Sequence, residues 1–270
     1  MRAFAQDGRP VVAFVRDPAG LAPPPGVVVR RYSLNAGAPD LDGVETLVHC
    51  AFAPRVSARE DAITTNVEGT LEIFRAARAR AIRFVFMSSI NAVGNIDSAY
   101  ARQKRAIEER LGAGALVLRP GLVAGDGGLF AIVVAATRRP IVPLIDGGRQ
   151  AVQLVGIDDL YAALRLALEA DLSGAHNVVA APPLTLRTIV ATLLQAQRRR
   201  ALLLDVPYAA AFAAASIAER CGIALPVTTE SLRGLRGARV QEASAALREL
   251  GWQPQPPSAV LASFASKGAP

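Results

Sequence analysis

The sequence predicts a doubly wound α/β fold, a parallel sheet with helices on both faces, followed by a smaller, mainly helical C-terminal lobe. Three observations carry this reading. Short runs rich in β-branched residues alternate with helical stretches of about 10–15 residues. The 270 residues are 51% hydrophobic and 20% charged, enough to bury a core and unlike a disordered or collagen-like chain. Beyond Pro120 the alternation loosens, and from about residue 182 the pattern is mostly helical.

The elements follow in order. Residues 10–17 (PVVAFVRD) read as a buried parallel strand ending in a charged turn. Pro23, Pro24 and Pro25 forbid helix in the loop that follows, and residues 26–32 (GVVVRRY) read as a second strand. Residues 44–52 are a third strand. Residues 66–79 form an amphipathic helix, with Val67, Leu71, Phe74 and Ala77 near helical spacing and Asn66 as its cap. A fourth strand at 82–87 precedes a charged helix at 100–111, and a fifth strand begins at Ala115 and is stopped by Arg119-Pro120. Residues 121–128 read as loop, 129–137 as a short helix and 175–180 as a last strand. Asp158 and Asp159 open a clear helix at 157–170, where the helix dipole favours anions. The helical remainder ends near Gly251 in a proline-rich tail.

Composition narrows the function classes. No run of about 20 apolar residues spans a membrane, and MRAFAQDGRP is no signal peptide. Two cysteines and two histidines make no metal-ligand spacing, so no metal site is expected, and Cys50 and Cys221 read as reduced thiols of a cytoplasmic protein. The net charge of +7 is scattered and only 5% of residues are aromatic, which argues against a nucleic-acid platform. Of the 30 basic residues, 28 are arginine; only Lys104 and Lys267 are lysine. An interior lysine in such a chain needs a specific reason.

Tyr100-Ala-Arg-Gln-Lys104 supplies one. A spacing of four on a helix puts phenol and ammonium on one face, where the cation lowers the phenol pKa toward a usable acid/base range. A rotating ammonium suits ribose hydroxyls better than a planar guanidinium. The alternative is a solvated helix pair, but four tyrosines and two lysines make the spacing rare by chance. Eleven residues upstream of Tyr100, the fourth strand ends in Ser88 and Ser89, at the sheet edge where open α/β sheets bind ligands. His49 reads as a structural strand-end residue rather than a base.

With these residues in view the chain resembles the short-chain dehydrogenase/reductase superfamily, in its extended and atypical NAD(P)-dependent epimerase/dehydratase branch. The resemblance takes in Val48-His49-Cys50-Ala51, Asn66-Val-Glu-Gly69-Thr70, Arg83 to Ser89, Tyr100-x3-Lys104, Leu118-Arg119-Pro120, Ile157-Asp158-Asp159-Leu160 and Leu250-Gly251-Trp252. It implies a Rossmann-like NAD(P)-binding domain over 1–181, with 126–150 contributing to a substrate lobe over 182–270. Tyr100 would be the catalytic acid/base, Lys104 would hold the nicotinamide ribose, and Ser89 would bond the reacting oxygen. Pro120 and Leu122 would lie near the nicotinamide and Ala51 near the diphosphate, with Phe52 also on the cofactor side. Asp17, Asn66 and Ser88 count on the cofactor side, Asn91 and Arg149 on the substrate side. The implied partner is a small hydroxyl or carbonyl substrate, sugar-nucleotide-like or other, and a homodimer through the helices beside Asn66 and Tyr100 is usual for the family.

The resemblance breaks in three places. The family opens with a strand, a Gly-x-x-Gly-x-x-Gly turn and a helix that binds the pyrophosphate. Here MRAFAQDG reads as the tail of that helix, so roughly 30 residues of a βαβ unit are missing and the start is expected to lie upstream. Loss of the central strand would leave two apolar edges unpaired. The alternative is a degenerate member that binds no cofactor and serves as a binding or assembly protein. Second, Ser33 stands where many relatives read adenine with an acid, while Arg16 ends the strand at 10–17, the family's second, where NADP-preferring relatives place a cation; NADP is therefore favoured slightly over NAD. Third, Val152 stands where nucleotide-sugar enzymes carry an arginine, which weakens the grip on a substrate diphosphate and leaves only Arg149 close in sequence.

Overall fold

The alternation read from the sequence becomes a set of parallel strands. The computed structural model describes residues 1–19, 21–34, 36–53, 63–94, 96–223, 225 and 227–264. A short helix, α1 (Arg2–Gln6), leads into β1 (Val11–Val15) and then β2 (Val27–Arg31), which pair in parallel with Val11 opposite Val27. There follow β3 (Thr46–His49), α2 (Gly69–Ala79), β4 (Arg83–Met87), α3 (Ala99–Leu111) and β5 (Leu116–Pro120). Here β5 runs through Arg119 and Pro120, which the sequence reading took as its stop. Proline is tolerated at a strand end, and Pro120 keeps its register opposite Val178.

The second half holds more strand than expected. Residues 121–128, read as loop, contain β6 (Leu122–Ala124), followed by α4 (Gly128–Ala136), β7 (Ile141–Ile145), β8 (Ala151–Val152) and β9 (Leu154–Gly156). After α5 (Ile157–Glu169) comes β10 (Gly174–Val178), then β11 (Leu184–Thr185), α6 (Leu186–Ala196) and β12 (Leu202–Val206). The chain continues through α7 (Tyr208–Arg220), α8 (Thr229–Gly237), α9 (Ala245–Glu249) and α10 (Pro257–Ser263). The second half is thus helical with small two-stranded sheets among the helices: β7 pairs β12, β8 pairs β11 and β6 pairs β9. The proline-rich tail becomes a helix because Pro257 sits in its first turn, where the missing N–H costs nothing.

The main sheet has the order β10-β5-β4-β3, all parallel. Side chains alternate across it. Phe84 and Phe86 cluster with Leu71, Phe74 and Ile107 of α2 and α3, while Val85 clusters with Ala163, Leu164 and Ala167 of α5. That is double winding, and it buries β4 on both faces. The β1–β2 pair stands apart, hydrogen-bonded to neither edge of the main sheet. At the carboxyl end of β5 the chain passes close under β9: a Cβ on Gly121 would lie 2.2 Å from the Gln153 carbonyl oxygen. Only glycine lets the Leu122 N–H reach that same oxygen at 2.8 Å.

Candidate active site

The site is built where β3, β4 and β5 end. Ser89 follows β4 and accepts from the Asn91 N–H at 3.2 Å, which turns the chain out of the sheet. Ser98 caps α3 by accepting from the Ala101 N–H at 3.1 Å, and so fixes the helix carrying Tyr100 and Lys104. The Ser89 hydroxyl lies close enough to the Tyr100 phenol to favour its ionised form. Burial pushes the Tyr100 pKa up, with Ser89 opposing. Desolvation, and not Lys104, therefore sets the direction, against the depression expected from the sequence.

Lys104 is 2% exposed and donates to the Met87 carbonyl at 2.7 Å. Three rings surround its ammonium: Phe86 at 4.5 Å, Phe52 at 4.8 Å and Tyr100 at 5.8 Å from the centroids. Burial lowers its pKa to about 8, with Cys50 and Glu108 pulling the other way. Cys50 is open to the cavity yet desolvated enough that its thiol pKa is raised, against the field of Lys104. His49 is buried, stacked against Phe84 and Phe86, and shares a 3.0 Å hydrogen bond with Thr70 Oγ1. Burial first and Lys104 second hold its pKa down at about 3, which fits the structural role read from the sequence.

Asn66 is not a helix cap: α2 begins at Gly69, and Asn66 lies in the turn before it. Its side chain accepts from Ala53 N–H at 2.8 Å and donates to the Gln103 side chain at 2.9 Å. This fastens the segment after β3 against α3 and sets Phe52 edge-on to Tyr100, with centroids 5.0 Å apart. Ser88 and Ser89 part company as neighbours on extended chain must. Ser88 turns inward and donates to Glu108, whose carboxylate also takes Arg119 Nε at 2.9 Å. Glu108 was missed in the sequence, although it stands four residues after Lys104 as Lys104 stands four after Tyr100.

Ser89, Tyr100, Asn91, Ala51 and Leu122 line one continuous cavity of about 2510 Å³, which runs from between β1 and β3 into the lobe. Lys104, Phe52, Asn66, Ser88 and Pro120 stand behind that lining. Arg16 and Asp17 are exposed at the end of β1 and do not line it; Asp17 holds its own loop, accepting from Ala19 N–H at 3.0 Å. Arg149 is exposed near Gly147, also off the lining. Beyond its bond to the Met87 carbonyl the Lys104 ammonium keeps two N–H groups, a donor set that would suit a ribose diol. Between β1 and β3 the lining includes Val11, Ala13, Leu47 and Val48 beside Thr46 and His49, and the described residues there include no glycine-rich turn to hold a diphosphate. Among the described residues no His/Cys/Asp/Glu group is arranged to hold a metal ion, and no helix is long and apolar enough to cross a membrane.

Comparison with known proteins adds a family. The model described as NAD dependent epimerase/dehydratase family matches residues 29–180. Ceramide reductase of Caulobacter vibrioides is 33% identical over 181 residues, which cover 61% of this chain and 55% of that protein. The chain thus spans about half the length of that relative. The crystal structure of Thermus thermophilus UDP-glucose 4-epimerase in complex with NAD is 19% identical, with a TM-score of 0.73, covering 100% of this chain and 94% of the other. RMD from Pseudomonas aeruginosa, complexed with NADPH, is 17% identical with a TM-score of 0.64, covering 95% and 98%. At such identities the likeness is one of fold.

Proposed function

The chain belongs to the NAD dependent epimerase/dehydratase family, and from that premise we propose that it is a nicotinamide-dependent oxidoreductase that reduces a carbonyl, with Tyr100 as the proton donor. The observation that carries this is the pair Ser89 and Tyr100 on the cavity wall, with the Lys104 ammonium directly behind the Tyr100 ring. Its electrostatics favour the reductive direction. Tyr100, with its pKa raised by burial, holds its proton at neutral pH, the state a general acid needs. The name of the curated relative, a reductase, points the same way.

A bound dihydronicotinamide supplies the hydride. The chain's own residues do the rest. Ser89 donates its hydroxyl proton in a hydrogen bond to the carbonyl oxygen and fixes its place. Tyr100 delivers a proton to that oxygen as it becomes a hydroxyl. Lys104 would hold the ribose hydroxyls and steady the phenolate left behind, and Phe52, held through Asn66, keeps water from the phenol's flank. Arg16, exposed at the end of β1, would take a 2′-phosphate and so favour NADP. We assign the substrate's remainder to the lobe formed by 126–150 and 182–264.

The test is a calorimetric titration of the 270-residue chain with NADPH and NADH, followed by turnover of Tyr100→Phe. Micromolar binding, with turnover cut about 10²- to 10⁴-fold in the variant, supports the reading. A folded protein that binds neither nucleotide overturns it and favours the second reading, a binding protein without cofactor, to which the apolar lining between β1 and β3 lends support.

A further inference from the structure

Resting on that reading of the site, we infer that the substrate carries an aliphatic chain, and that the lobe's part of the cavity is its channel. The cavity does not end at Ser89 and Tyr100. It continues past Leu122 between α4, α6 and α7, where Val133, Ala211 and Ala214 face it above the buried Leu144, Val190 and Ala215. Its lip is apolar as well. Leu129 and Ile132 on α4 are 56% and 40% exposed, and Ile157 at the start of α5 is 50% exposed, yet all three belong to the lining. Val227, 41% exposed, joins them ahead of α8. Large aliphatic side chains left in water around the mouth of a cavity mark a surface that an apolar ligand covers.

Charge argues in the same direction. Beyond residue 121 the lining carries two guanidinium groups, Arg139 and Arg239, against the carboxylates of Asp126, Asp158 and Glu230. That balance offers no net positive charge to a nucleoside diphosphate. The only arginine near Val152 in sequence, Arg149, lies off the lining. A substrate with its carbonyl near one end and a saturated chain behind it meets both demands: the polar end at Ser89 and Tyr100, the chain along α4 and α7.

The experiment is calorimetric titration of the full chain with methyl ketones of six, eight and ten carbons, and separately with UDP-glucose. Affinity should rise about two- to fourfold for each added methylene, the upper figure being full burial. Leu129→Arg and Ile132→Arg place a charge at exposed positions that folding tolerates, and should flatten the chain-length dependence; Ile132→Leu should keep it. A flat dependence in the unaltered chain, no detectable heat with the ten-carbon ketone, or UDP-glucose binding that is lost in Arg239→Ala, overturns the inference. The readout is the chain-length slope, so losing the Tyr100 hydroxyl in Tyr100→Phe should weaken every ketone alike and leave that slope unchanged. A flat series with Tyr100-dependent turnover sinks the channel and spares the catalytic reading; a steep series without that turnover does the reverse.

Discussion

His49 should make the fold acid-sensitive in a way one substitution removes. Thr70 commits its hydroxyl proton to the Asn66 carbonyl, 2.6 Å away, so its oxygen can only accept from His49. The imidazole is therefore the neutral Nε2–H tautomer, and a second proton on Nδ1 would be buried beside two phenylalanines and within the field of Lys104. The folded pKa of about 3 lies below the ordinary 6.5, so the unfolded chain takes up the proton first. Stability is complete above pH 6.5 and is lost as pH falls toward 3, by about 1.4 kcal/mol per unit. Between pH 7.5 and 5.0 this amounts to about 2 kcal/mol, or roughly 0.7 M in urea midpoint at an m-value near 3 kcal/mol/M. His49→Gln keeps a donor for Thr70 and cannot charge. It should cost stability at both pH values, yet fall between them by about 2 kcal/mol less than the unaltered chain. Urea titrations followed by circular dichroism at the two pH values measure this, and carboxylate titration cancels in the comparison. Equal losses in both proteins would refute the assignment of a neutral, trapped imidazole.

Lys104 gives the opposite window. Its folded pKa near 8 sits below the ordinary 10.5, so stability should climb by about 3 kcal/mol as pH rises from 8 to 10.5, and Lys104→Met should show no such climb in the same urea assay. Glu108→Ala strands Arg119 and Ser88 in a half-dry pocket and should cost about 3–5 kcal/mol, read as a lowered melting temperature. Gly121→Ala drives a methyl into the Gln153 carbonyl and should cost about 2–3 kcal/mol, roughly 5–10 °C in Tm; a neutral result would mean that the β5–β6 junction can move.

The sequence announces those parts of the fold whose signal is local. Val11–Val15 and Val27–Arg31 are runs of β-branched residues between breakers, and they are strands. Tyr100 and Lys104 are four apart on a helix, and they meet. The short strands of the second half carry no such signal: β6 and β9 are three residues each, and β7 holds Pro143 in its middle. Leu202–Val206 is leucine-rich, and only its pairing with β7 makes it a strand. In the site, Ser88 was misjudged because adjacent residues of a strand face opposite ways, and Asn66 because its partners, Ala53 and Gln103, are distant in sequence. The partnership of Arg119 with Glu108 links a strand to a helix across the sheet, which no spacing announces.

The β1–β2 pair shares no ladder with the main sheet and meets its core only through side chains such as Phe14, so it should open as a smaller unit of its own. Amides of β4 are flanked by strands on both sides, whereas those of β1 and β2 are held by a single ladder of five residue pairs. Hydrogen exchange should therefore reach β1 and β2 through small openings while β4 exchanges only when the whole sheet melts. Any molecule lying across the cavity from β1 to β3 would couple the two openings and slow exchange in the smaller unit. Protection of Val12 and Phe14 amides thus becomes a sensor of occupancy that needs neither turnover nor a known substrate.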